Sequence, residues 1–274
     1  MNKNFFLNTN LTDNQIAIFY LGQEGFVIKF KDKFIMIDGY LSNYVDKNCS
    51  SENVKWVRRY APPINPEELD FLDFVFCTHE HFDHADPYTL SAVAKLNKKT
   101  KFIVPAHMKD VISSYGVLTN NIVPAIADKT IIFNDFEVTP IPSAHEVLHK
   151  DEKGNYAELG YILNFGITTV YHAGDCCIYD GLEERIKNTD ILMLPVNGRS
   201  YYKLNHDDIV GNMTSEEAVI LSKHISPKLL IPMHFDLYDV NCINPATFVD
   251  TLNTLNPYQT YHIFSPGERF IFEK

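Results

Sequence analysis

The feature that most constrains this chain is His79-Glu-His-Phe-Asp-His84, set just after an apolar stretch, Phe71-Leu-Asp-Phe-Val-Phe-Cys77. The apolar stretch reads as a buried strand. Three imidazoles and a carboxylate packed into six positions just past a strand end put metal ligands on a short loop held by a rigid element. Neutral imidazole nitrogens and carboxylate oxygens are what divalent zinc, manganese and iron prefer. In an extended or turning loop His79 and His81 stand two apart and point the same way. Asp83 and His84 then come round the turn and can face a second metal. The other reading is a polar surface loop rich in histidine, but the His-x-His-x-Asp-His order is complete and its setting is a strand end.

Other chemistry-bearing residues also follow strands. Ile141-Pro-Ser-Ala-His145 closes one, and His149, in the polar Glu146–Gly154 loop, competes with His145 for the same role. Thr168 to Tyr171 runs into His172-Ala-Gly-Asp175, where Gly174 allows the backbone to turn and Asp175 to point towards the metal loop. Asp175 as the N-cap of a helix over Ile178 to Lys187 is the competing reading. His172 reads as a strand residue or a partner behind the ligands. Asp190-Ile-Leu-Met-Leu-Pro-Val196 ends in Asn197-Gly198-Arg199, and Lys228 to Ile231 leads to Pro232-Met-His234.

These words resemble the metallo-β-lactamase-like hydrolase superfamily, most closely its L-ascorbate-6-phosphate lactonase branch. The matching stretches are Thr78-His-Glu-His-Phe-Asp-His-Ala-Asp-Pro87, His172-Ala-Gly-Asp175, Met213-Thr-Ser-Glu-Glu-Ala218 and Ile231-Pro-Met-His-Phe-Asp236, from roughly residue 17 to the C-terminus. The resemblance implies an α/β fold, a four-layer αββα sandwich, as one domain over residues 1–274. It implies two divalent metal ions, Zn2+ or Mn2+. His79, His81 and His145 would bind one, Asp83, His84 and His234 the other, with Asp175 bridging. The implied activity is hydrolysis by a metal-bound hydroxide, with Asp83 orienting the water or passing a proton to the leaving group. The implied substrate is a lactone of a phosphorylated sugar acid. Phosphodiester hydrolysis is the alternative. A metal-dependent oxygen or redox sensor on this fold would need a flavin domain or a persulfide site. A non-enzymatic metal scaffold is disfavoured because no ligand is missing.

Charge narrows the substrate. With 24 basic against 35 acidic residues the net charge is −11, which repels a polyphosphate backbone and argues against nucleic acid. A small anionic substrate stays compatible, because bound metals reverse the sign locally. Arg199 could hold its phosphate or carboxylate through two parallel hydrogen bonds, beside Asn197, with Tyr201, Tyr202 and Arg58-Arg59 completing the pocket. A surface salt bridge is the plainer reading of Arg199. Five cysteines, with one vicinal pair, do not look like a disulfide framework, and Cys176-Cys177 read as oxidation-prone bystanders. Met1-Asn-Lys-Asn-Phe-Phe-Leu-Asn has too short an apolar run for a signal peptide and no segment could span a membrane, so the cytoplasm is expected. Self-association is left open.

Along the rest of the chain, three strands over 16–21, 26–30 and 33–38 open the fold. The stretch 41–66 lacks periodicity and reads as a flap over the site or a packed surface excursion. Asn65-Pro-Glu-Glu68 starts a short helix. Helices are expected over Pro87–Leu96 and His107–Tyr115, with a strand over Lys101–Val104. Two strands are expected between Thr130 and Pro142, and a hairpin over Tyr156–Tyr171. Ser200–Gly211 reads as a polar loop. Thr214-Ser-Glu-Glu217 reads as a capping box for a helix to about His224. A helix over Pro245–Leu255 and a strand pair to Phe272 close the chain.

Overall fold

The computed structural model describes residues 1–274. They gather into two compact units: Met1–Ser50 with Tyr60–Ala125 and Phe264–Lys274, and Ser51–Arg59 with Ile126–Ile263. Residues 41–66 therefore divide, with Ser51–Arg59 belonging to the second unit. There Arg59 N–H donates to the Leu237 carbonyl at 2.9 Å, and the Trp56 ring meets Tyr238 edge-on at 5.1 Å.

In the first unit the strands β1 (Gln15–Gly22), β2 (Gly25–Phe30), β3 (Lys33–Ile37), β4 (Phe74–Phe76), β5 (Lys101–Pro105) and β6 (Ile122–Ala125) form one sheet with the C-terminal strand Arg269–Glu273 at its edge. The β1, β2 and β3 strands pair antiparallel, and β3 to β6 pair parallel. The β2 strand is buried at every residue and β5 at all but its first, as continuous apolar runs predict. One face is packed by α1 (Lys3–Leu7), α3 (Pro87–Leu96) and α4 (Lys109–Ser114), whose Phe6, Leu90, Val93 and Ile112 join Phe19, Val75 and Val104 in one core. The remaining helix of this unit, α2 (Tyr44–Asn48), is a single turn. The α3 helix has the expected bounds because Asp86 caps it, accepting from Tyr88 N–H at 3.1 Å, with Pro87 at the first position.

The second unit repeats the plan. Antiparallel β7 (Ile131–Ile132), β8 (Glu137–Pro142), β9 (Leu159–Asn164) and β10 (Thr169–His172) are followed by parallel β11 (Ile191–Pro195) and β12 (Leu229–Met233). Its helices are α5 (Leu182–Ile186), α6 (Tyr201–Asp207), α7 (Ser215–Ile225) and α8 (Pro245–Leu255), with α7 packed on α8 and α5. In both units parallel strands end in loops at their carboxyl ends, where α/β sheets bind ligands.

Several local expectations change. Residues 200–211 are not all loop: Ser200 accepts from Lys203 N–H and caps α6, whose Tyr-Tyr-Lys-Leu-Asn-His-Asp sequence has no apolar stripe to announce it. The helix expected over 178–187 is only Leu182–Ile186, started at Gly181, so Asp175 is not its N-cap. The helix expected over 107–115 begins as a 3-10 turn, Ala106–Met108, before α4. The closing strand pair is a single strand against β1.

Candidate functional site

The first cluster is built at the ends of β3 and β4. Asp38, just past β3, is fully buried in the left-handed region at φ 46. Its N–H donates to the Phe76 carbonyl at 3.0 Å, which fixes its carboxylate beside the start of the His79–His84 loop. Thr78 N–H donates to Asp38 Oδ1 at 2.8 Å, and the Thr78 hydroxyl donates to Oδ2 at 2.6 Å. The same Oδ2 lies 2.9 Å from His84 Nδ1, and Thr78 Oγ1 lies 3.0 Å from His79 Nδ1. An ionised carboxylate only accepts, so His84 Nδ1 carries the proton. The Thr78 proton is already given to Asp38, so His79 Nδ1 donates to Thr78 Oγ1. One carboxylate thus sets the tautomer of two imidazoles and leaves Nε2 of each as the lone-pair nitrogen.

The loop then wraps tightly. His84 and Ala85 N–H both donate to the His81 carbonyl, at 2.9 and 2.8 Å. The His79 ring lies 4.6 Å from that of His81 and 4.0 Å from that of His84, centroid to centroid. His84 Nε2 is 3.7 Å from Asp83 Oδ2, which accepts from Gln23 Nε2 at 2.9 Å. Gln23 and Glu24 come from the tight β1–β2 turn and are buried, with Glu24 Oε2 at 3.7 Å from His84 Nδ1. The sequence reading missed Asp38, Gln23 and Glu24. A carboxylate at the end of β3 was the available signal for Asp38.

The second cluster joins ends of β8, β10 and β12. Ser143 Oγ donates to the carbonyls of Ala173 and Asp175 at 2.9 and 2.8 Å, tying the loop after β8 to the loop after β10. His145 Nε2 lies 3.4 Å from Asp175 Oδ2, and His234 Nε2 lies 3.3 Å from Asp175 Oδ1. Asp175 thus has one oxygen against each imidazole. Two ligand atoms about 2.1 Å from one ion in a tetrahedral arrangement stand about 3.4 Å apart, so both spacings suit a shared cation. His234 sits at φ 56, in the left-handed region that non-glycine residues adopt uncommonly. Gly174, at φ 61, makes the turn that aims Asp175, and its N–H donates to His172 Nδ1 at 3.2 Å. His149, the competitor of His145, is half exposed and sits 3.2 Å from Glu158.

The remaining candidates have structural partners. Asn197 is buried, accepting from Asn212 Nδ2 at 3.1 Å and donating to Asn241 Oδ1 at 3.0 Å. Arg199 places Nη1 and Nη2 each 2.6 Å from a Glu217 oxygen, and Nη1 also donates to the Asn212 carbonyl. That pair holds the Arg199 pKa above its usual range and Glu217 below its own. Glu217 is also the reciprocal partner of Thr214 in the capping box of α7. Tyr201 and Tyr202 stand exposed on α6. Burial pushes the Cys176 thiol up to about 12 and raises Cys177 as well, so neither favours a thiolate.

The family model described as "Beta-lactamase superfamily domain" matches residues 45–235, which include His79, His81, Asp83, His84, His145, Asp175 and His234. The chain is 24% identical over 252 residues to a UPF0173 metal-dependent hydrolase of Caldivirga maquilingensis, covering 91% of this chain and 95% of that protein. Among solved structures it is similar to an isothiocyanate hydrolase from Delia radicum gut bacteria (TM-score 0.73, 18% identity, 94% of this chain and 100% of that one). It is also similar to Igni18, a novel metallo hydrolase from Ignicoccus hospitalis (TM-score 0.68, 18% identity, 95% and 99%). Two mixed sheets with their helices and this family match agree with the α/β class expected from the sequence. The chain belongs to the metallo-β-lactamase superfamily and shares nearly its whole length with a metal-dependent hydrolase of that group.

Proposed function

We propose that this chain is a hydrolase with a dinuclear metal centre. By the resemblance, His79, His81 and His145 would hold one divalent cation and Asp83, His84 and His234 the other, with Asp175 as a ligand shared by both. The observation that carries the reading is the Asp175 carboxylate, with an imidazole Nε2 at 3.4 Å from one oxygen and at 3.3 Å from the other. Family membership supports metal chemistry at these residues, because the matched domain contains all seven of them.

Two bound divalent ions would lower the pKa of a water and polarise the carbonyl or phosphoryl oxygen of a substrate. The chain's own contribution is to present ligands in the right protonation state. Asp38 and Thr78 keep the protons of His84 and His79 on Nδ1, so both rings offer Nε2. Asp83 is the proton carrier: its Oδ2 is held by the Gln23 amide, which orients the carboxylate to take a proton from water and pass it to a leaving group.

The substrate we propose is a small anionic molecule, a sugar-phosphate lactone. Support comes from the words shared with the ascorbate-phosphate lactonases and from the acidic surface, which disfavours nucleic acid. The test is hydrolysis, by protein loaded with zinc or manganese, of a phosphorylated sugar lactone, its unphosphorylated counterpart and a simple phosphodiester. Turnover of the lactones, faster with the phosphate, is expected. Turnover of the phosphodiester alone would overturn the lactonase reading.

A further inference from the structure

Behind Asp175 lies a buried chain of amides that no metal-binding pattern in the sequence announces. Asn212, fully buried, donates through Nδ2 to Asp175 Oδ1 at 2.9 Å and to Asn197 Oδ1 at 3.1 Å. Asn197 Nδ2 in turn donates to Asn241 Oδ1 at 3.0 Å, and Lys203 Nζ from α6 reaches the same oxygen at 3.4 Å. Asn212 is held from the backbone too, its N–H donating to the Gly198 carbonyl at 3.3 Å. Its Oδ1 is buried with no hydrogen-bond partner. Leaving a buried acceptor unpaired is costly, so a fold that keeps one needs a reason. Here the orientation that strands Oδ1 is the one that aims both N–H groups at acceptors, one of them Asp175.

We infer that Asn212 is a positioning residue for the metal centre: its amide fixes the plane of the Asp175 carboxylate so that one oxygen faces His234 and the other His145. The inference rests on the reading of Asp175 as a metal ligand. A carboxylate on a single bond rotates about that bond, and each oxygen must meet a different cation. One buried donor against Oδ1 restricts that freedom. Asn197 and Asn241 act behind it: Asn197 accepts the second N–H of Asn212 and is itself anchored on Asn241. Lys203 ends the relay with a positive charge, its pKa lowered chiefly by burial. The direction of donation runs from Asn212 outward to a carboxylate, so the amide stabilises Asp175 in its ionised, metal-binding form.

The experiment titrates metal-free protein with cobalt(II), reading affinity from a competing chelator and geometry from the ligand-field absorption. The proteins are wild type, Asn212→Leu, Asn212→Ala and Asp175→Ala. Loss of an outer partner costs about 10–100-fold in metal affinity, and that loss with an altered cobalt spectrum is expected for both Asn212 variants. The melting temperature of the metal-free protein identifies a variant that fails to fold, and Asn212→Ala, which only removes atoms, covers failure of the leucine. A folded Asn212→Ala that binds cobalt with wild-type affinity and spectrum would overturn the inference while Asp175→Ala still loses metal. If Asp175→Ala binds like wild type, the ligand reading itself fails and the inference goes with it.

Discussion

The two clusters present similar candidate ligands by opposite means. In the first unit His79, His81, Asp83 and His84 lie within six residues of one loop, and a single buried carboxylate, Asp38, braces two of them. In the second unit His145, Asp175 and His234 come from three strand ends spread over about ninety residues, and the braces are neutral: Ser143, the Gly174 turn and the Asn212 amide. A contiguous loop can be preorganised by its own backbone, as the paired bonds to the His81 carbonyl show. A dispersed set depends on strand register and on buried polar contacts between loops. The second cluster is therefore expected to be more sensitive to changes in distant packing.

The largest effect expected is catalytic and falls on the first cluster. Asp83→Asn should lower turnover about 10²–10⁴-fold while the melting temperature stays near wild type. A near-normal rate would remove Asp83 from proton transfer. Next comes the brace. Asp38→Asn replaces an acceptor-only group with one that has donors facing His84 and Thr78, so metal affinity should fall about 10–100-fold. Unchanged affinity would mean that the loop backbone alone organises these ligands, sharpening the contrast with the second cluster.

A smaller effect belongs to the second unit. Glu217 serves both the cap of α7 and the Arg199 pair, so Glu217→Gln should destabilise by about 1–2 kcal/mol in thermal or urea unfolding. Its pKa is depressed from the ordinary 4.5, chiefly by the Arg199 hydrogen bond. A depressed carboxylate contributes stability that is complete above its unfolded pKa and is lost as pH falls through the folded value. The gap between wild type and Glu217→Gln should therefore close on acidification below about pH 4.5, and a gap independent of pH would contradict the assignment. In the same unit, Arg199→Ala should reduce stability with little change in the Michaelis constant; a Michaelis constant that rises only for a phosphorylated substrate would return Arg199 to substrate binding.

What could be read from the sequence follows the same contrast. The His79–His84 cluster was legible because its residues are adjacent, and α3, α7 and α8 because their caps are local: Asp86-Pro87, Thr214 with Glu217, and Asn244-Pro245. The α6 helix was not, since its exposed Tyr-Tyr-Lys-Leu-Asn-His-Asp turn is held by Ser200 and has no buried side chain. Asp38 and Asn212 escaped for another reason. Each acts on a residue about forty positions away, and an aspartate before a glycine or an asparagine after one looks like an ordinary turn until the strands are assembled. Asn197 and Arg199 were singled out for chemistry by their place at a strand end, and their structural partners, Asn241 and Glu217, lie 44 and 18 residues further on.

The central claim is that both clusters hold metal, and metal content tests it most directly. Protein purified without chelator should contain about two equivalents of divalent metal per chain. His79→Ala, from the first cluster, and His234→Ala, from the second, should each fall to about one equivalent while remaining folded. Metal content unchanged in both variants, or a single equivalent in wild type that only His79→Ala removes, would contradict the account.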